Sequence, residues 1–254
     1  MNLAKPPTPA GGFEANIGLQ TAKYPKEEHF PLPKPEQPVQ GYLSAYSNPF
    51  SAERIRPGGL PFLFPSGITP EKLWDRFCRL GGQAQILGGQ GSGKTSLIRT
   101  LLEASPWREV ESRVLAIRDR KPGALPALRE LRIASPGCLL VVDGFEQWSL
   151  PGQILVALYA RVRGLRLLVT GHKRNFLPIL VELRPEWPLA CRLVHLLLQD
   201  VAEERLRQGL PPVTIPEPVI YEAFCHSRGN IREMFFRLYD IYEELLRGAR
   251  TTSK

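Results

Sequence analysis

No apolar run in this 254-residue sequence is long enough to cross a bilayer. The amino terminus is polar and proline-rich, without the hydrophobic region of a secretory leader. Together these absences lead us to expect a cytoplasmic protein with no membrane span. Cysteine is scarce as well. Cys78, Cys138, Cys191 and Cys225 are widely separated and make neither a CxxC pair nor a Cys/His cluster. They read as buried free thiols in a reducing compartment, not as disulfides or a metal site. Concentrated charge is also missing: 33 Lys and Arg against 25 Asp and Glu leave a net +8, but the basic residues are spread over the expected helices. Spread in this way they solvate a surface; they permit a polyanionic partner without requiring one. There is no internal repeat, no helix-turn-helix and no zinc module.

What is present falls into three parts. Residues 1–41 are rich in proline, with Pro31-Leu32-Pro33-Lys34-Pro35 as a polyproline-like stretch, and read as an arm that is disordered or extended along another surface. From Tyr42 an aromatic, turn-rich strap runs through Tyr46–Ser51 and Arg56–Pro65. Thr69-Pro70 starts a helix carrying Trp74, Phe77 and Leu80, which Gly81-Gly82 ends. Strands are expected at Ala84–Leu87, Arg113–Ile117, Cys138–Asp143, Leu165–Thr170 and Arg192–Leu198. Helices are expected at Ser96–Leu102 and Gln153–Arg163, with a short one at Phe176–Leu183. This alternation makes residues 42–199 an α/β core with a parallel sheet covered on both faces. Residues 200–254 hold three helices, at 200–207, 217–227 and 230–247, and form a small helical subdomain.

One stretch carries sharp chemistry. Gly88-Gly89-Gln90-Gly91-Ser92-Gly93-Lys94-Thr95 matches the phosphate-binding pattern G-x-x-x-x-G-K-[ST] at every fixed position, between an expected strand and a helix that opens on Ser96. The glycines let successive backbone N–H groups face a polyphosphate. Lys94 neutralises its outer phosphates, and the Thr95 hydroxyl holds Mg²⁺. Asp143 ends an apolar strand, where it can complete the metal site. Glu146, three residues on, is a candidate to polarise an attacking water, with Gln147 as runner-up. Thr170 ends the neighbouring strand, where it can feel the terminal phosphate. His172 and Lys173 follow in the loop and read as structural or solvated. Arg232, in the first turn of the last helix, can bring positive charge to the phosphates, with Arg228 as a substitute. A guanine-reading Asn-Lys-x-Asp is absent.

Together these parts resemble the AAA+ and STAND branch of P-loop ATPases over roughly residues 42–247. The resemblance implies a core with strand order 5-1-4-3-2 and a helical lid, with ATP and Mg²⁺ as cofactors. By it, Lys94 and Thr95 match the Walker A motif, Asp143 the Walker B aspartate, Thr170 the first sensor and Arg232 the second. Asn48-Pro49-Phe50 looks like the segment that flanks adenine in secretion- and transposition-associated relatives. The sequence departs from the family at Asp143-Gly144, where AAA+ motors carry Asp-Glu, and this moves the catalytic role to Glu146. Arg174, Arg184 and Arg192 lie in the region of the trans-acting arginine finger. The expectation is an ATPase that signals its state to a partner, with a nucleotide-dependent switch of negligible turnover as the alternative. A protein partner, DNA and ATP-dependent oligomer formation are the further expectations.

Overall fold

The structure, a computed structural model, describes residues 48–117 and 125–251. The proline-rich arm and Tyr42–Ser47 of the strap lie outside the described residues. Five strands form one parallel sheet: β1 (Gln83–Gly88), β2 (Ser112–Ala116), β3 (Leu139–Asp143), β4 (Arg166–Gly171) and β5 (Ile179–Leu183), in the order β2-β3-β4-β1-β5. This is the expected strand order read from the opposite edge. The helices are α1 (Pro70–Arg79), α2 (Lys94–Glu103), α3 (Leu125–Ile133), α4 (Leu150–Val162), α5 (Trp187–Arg207), α6 (Glu217–Ser227) and α7 (Ile231–Thr251). No described helix is long and apolar enough to cross a membrane.

The central strands β3, β4 and β1 bury both faces, whereas the edge strand β2 stays partly exposed. Along β3, Leu139 and Val141 join the layer formed with α1 and α2, while Leu140 and Val142 join the layer formed with α3 and α4. This period-two split is why an uninterrupted aliphatic run suits a central parallel strand. Each fully buried aliphatic side chain contributes about 1.5–3 kcal/mol of transfer free energy.

On the α1 side the core is aromatic. Trp107 is fully buried, with its ring 5.3 Å from Phe77 and 5.0 Å from Trp74, and its indole N–H donates to Pro70 O at 2.9 Å. Trp107→Ala removes all of these contacts, the indole hydrogen bond to Pro70 O included. We expect it to cost about 3–5 kcal/mol, read as a lower urea midpoint with an unchanged slope. At α1 the start is as expected: the Thr69 side chain accepts from Lys72 N at 3.3 Å and Pro70 occupies the first turn.

Two elements differ from the sequence reading, and for one reason. Phe176–Leu183, expected as a helix, contains β5, which pairs with the free edge of β1, Val181 standing opposite Ile86. Arg192–Leu198, expected as the fifth strand, lies inside α5. Over a seven-residue window its aliphatics look like a buried strand. Over the whole helix the buried positions Ala190, Val194, Leu197 and Val201 keep the spacing of one helical face. The core–lid boundary expected between 199 and 200 therefore falls within an unbroken helix. A further helix, α3, occupies a stretch for which the sequence suggested no element. Of the four free thiols, only Cys138 is buried; Cys78 and Cys225 are exposed and Cys191 lies between.

Candidate active site

The carboxyl ends of β3, β4 and β1, adjacent in the sheet, open on one cavity of about 760 Å³. That end of an open parallel sheet is where ligands bind. The cavity brings together Gln90 to Ser96, Asp143, Glu146, Gln147, Thr170 and Arg232, which are scattered over more than half the chain.

From β1 the chain turns through Gly89–Gly93 and enters α2 at Lys94. Gly91 (φ +70°) and Gly93 (φ +91°) adopt left-handed backbone conformations. A side chain at Gly91 would be strained and would also strike the Asn230 side chain, so the loop and the start of α7 touch directly. Asn230 is held in turn, its Oδ1 accepting from Glu233 N at 3.2 Å at the start of α7.

Lys94 is only 9% exposed. Its ammonium donates to Gly88 O at 2.8 Å and to Gly89 O at 2.7 Å. Burial, first of all, lowers its pKa; Glu146 and Asp143 oppose that shift and Arg232 adds to it. A cation held against this desolvation gains most from an incoming anion, and the amino end of α2 adds favourable backbone dipoles at the same spot.

Asp143 is the hub. Its Oδ2 accepts from the Thr95 hydroxyl at 2.8 Å and its Oδ1 from the Thr170 hydroxyl at 2.6 Å. Thr170, 1% exposed, in turn accepts from Gly144 N at 2.8 Å. Gly144 has φ +92°, and a Cβ there would lie 2.9 Å from Ile117 O, so the turn that follows Asp143 requires glycine. The Thr95 hydroxyl and the Asp143 carboxylate form an all-oxygen set suited to a hard divalent cation.

Glu146 is the middle residue of the 3-10 turn Phe145–Gln147 that follows Asp143. Its Oε1 is 3.3 Å from His172 Nε2, and its Oε2 is buried without a hydrogen-bond partner. His172 Nδ1 lies 3.3 Å from Lys94 Nζ. Because an ammonium can only donate, the imidazole accepts at Nδ1 and donates to Glu146 from Nε2. The loop histidine read as structural or solvated thus bridges the lysine and the glutamate. It is kept there by Gln85, fully buried in β1, which donates to Lys173 O at 2.7 Å and accepts from Asn175 N at 3.1 Å. A glutamine between the apolar Ala84 and Ile86 was the sequence signal for this brace.

Asn48 and Phe50 do not line the cavity. Phe50 is fully buried, stacked on Phe235 at 5.8 Å, and Asn48 Nδ2 donates to Tyr239 O and Glu243 Oε1, both at 3.0 Å. They anchor the strap to α7. The apolar wall of the cavity comes instead from Ile55 and Leu60 of the strap, Leu189 and Leu193 of α5, and Ile231 and Phe235 of α7. Arg174, Arg184 and Arg192 are not among the cavity residues, and Arg184 pairs with Glu182 at 2.6 Å.

No protein-family model matches this sequence, and no curated protein is significantly similar to it.

Proposed function

We propose that this chain is a P-loop ATPase that binds ATP with Mg²⁺ and hydrolyses it to ADP and phosphate. The observation that carries the proposal is Asp143, shared between Thr95 and Thr170 beside the buried ammonium of Lys94 at the start of α2. Thr95 and Asp143 would hold Mg²⁺, which when bound neutralises charge on the phosphate oxygens. The apolar wall fits a base, the glycine loop fits the phosphates, and the cavity volume of about 760 Å³ suits a nucleotide-sized ligand.

In this reading Lys94 leaves its two carbonyl partners for phosphate oxygens. Glu146, oriented by His172, takes a proton from water as its oxygen bonds to the terminal phosphorus. The bond from that phosphorus to the bridging oxygen breaks, and ADP leaves with the electron pair. Arg232 adds positive charge from α7. Because Gly91 and Asn230 touch, a change in the loop passes to the helical layer, and the output is a conformation. The outward face of α4 supports a protein as recipient. Leu150, Ile154, Leu155, Leu158 and Val162 are all exposed there, and contiguous apolar surface of this kind marks interaction sites.

Phosphate release by the purified protein, beside Lys94→Ala, tests the proposal together with binding of a fluorescent ATP analogue. We expect binding to weaken about a hundredfold in the variant, the factor expected for losing a charged, desolvated contact worth about 3 kcal/mol. Wild-type release no higher than that of Lys94→Ala would overturn the ATPase. Tight binding without release would leave a nucleotide-dependent switch.

A further inference from the structure

Away from the cavity, α5 and α6 bring together three side chains of metal-ligating type. Cys191 and His195 stand one turn apart on α5, and Glu217 opens α6. The sulfur, an imidazole nitrogen and a carboxylate oxygen all lie within 4.8 Å of one another, with Cys191 Sγ and His195 Nε2 3.9 Å apart. The cluster exists because residues 192–198 are helical and not a strand. In a strand, residues four apart are about 13 Å from each other, whereas in a helix they are neighbours on one face.

The two helices are locked in register next to it. Trp187, one turn before Cys191, packs edge-on against Tyr221, one turn after Glu217, at 5.0 Å, and lies 5.9 Å from Phe224. Tetrahedral zinc, with bonds of about 2.3 Å to sulfur and about 2.0–2.1 Å to nitrogen and oxygen, sets its ligand atoms roughly 3.3–3.7 Å apart. Rotamer adjustments on the order of 1 Å close the cluster to that spacing.

We propose that Cys191, His195 and Glu217 form a site for zinc or a similar borderline divalent ion, completed by water, that clamps α5 to α6. A sulfur, nitrogen and oxygen donor set selects such ions over Mg²⁺, which takes oxygen ligands. The ion's two positive charges balance the thiolate and the carboxylate. As the metal–sulfur bond forms, the thiol proton passes to solvent. Without the ion, burial first and Glu217 second push the Cys191 thiol up to about 11. An ion bound at neutral pH takes the place of the thiol proton. The clamp joins the helix that gives Leu189 and Leu193 to the cavity wall with the one that leads into α7.

The test is a titration of tag-free, chelator-treated full-length protein with Co²⁺ at pH 8. We expect a thiolate-to-cobalt charge-transfer band with a one-to-one endpoint, and one equivalent of Zn²⁺ should bleach it. Cys191→Ser should abolish the band and weaken Zn²⁺ at least ~100-fold, beyond what losing an outer-shell partner costs. His195→Ala should do likewise, and Cys225→Ser should leave the band intact. Zn²⁺ should raise the melting temperature of the wild type but not of Cys191→Ser. No charge-transfer band, or one that survives Cys191→Ser, overturns the site. Cobalt held by Thr95 and Asp143 gives no sulfur band, so this result is independent of the ATPase assay.

Discussion

Asp143→Ala is expected to lower ATP turnover about a thousandfold, close to 4 kcal/mol of transition-state stabilisation. The size follows from how many functions meet at one carboxylate. Both of its oxygens are used, one by Thr95 and one by Thr170. Removing it takes away the anionic part of the cation set and leaves the Thr170 hydroxyl, almost fully buried, without its acceptor. An unpaired buried hydroxyl costs about 1–3 kcal/mol of stability, so the variant should also melt earlier. Asp143→Asn separates the two effects. It keeps the shape and one acceptor oxygen, so stability should largely return while turnover stays near the alanine level. Turnover recovering along with stability would show that Asp143 only props the strand end. Phosphate release and thermal melting on the same preparations decide between these outcomes.

Glu146→Gln is expected to slow turnover by a factor of about 10²–10⁴ while leaving ATP affinity within about threefold. An amide cannot take a proton from water, but it keeps the volume and can still meet His172. In the proposed reaction the base would be Oε2, which is buried without a hydrogen-bond partner. His172 works through Glu146, so His172→Ala should lower kcat about tenfold with KM nearly unchanged, and His172→Gln should restore part of the loss by supplying a donor. Single-turnover phosphate release and analogue binding separate the two parameters. Equal turnover in Glu146→Gln and wild type would remove Glu146 from the chemistry and pass the question to Gln147, which lines the same cavity but whose amide is tied to Ile117 O at 2.6 Å.

Much of the sheet was legible because it rests on local pattern. The apolar runs at β1, β3 and β4 each sit between turn signals, and alternation with helices makes the sheet parallel. The glycine-rich loop is equally local, since its glycines are needed by the chain's own backbone geometry at Gly91 and Gly93. Where a short apolar window suits two periods, local pattern fails. Phe176–Leu183 and Arg192–Leu198 exchanged helix and strand because what decides them is non-local: a free edge on β1 for the first, and a 21-residue helical face packed on α6 and α7 for the second.

The site divides the same way. Residue type and position along the chain singled out Lys94, Thr95, Asp143, Glu146, Thr170 and Arg232, because each lies at, or within three residues of, a strand end or helix start that the sequence itself marks. The tertiary structure alone decided which of them touch and what holds them. Asp143 became the acceptor for two threonines 75 residues apart, and His172, though still exposed in its loop, bridges Lys94 and Glu146. Phe50 moved away from the cavity into the packing of α7, and Cys191 gained His195 and Glu217 as neighbours. The physical reason is range. Backbone conformation and hydrophobic period act over a few residues and can be read along the chain, whereas hydrogen bonds and ligand clusters form between segments that become neighbours only once the sheet order and helix packing are set.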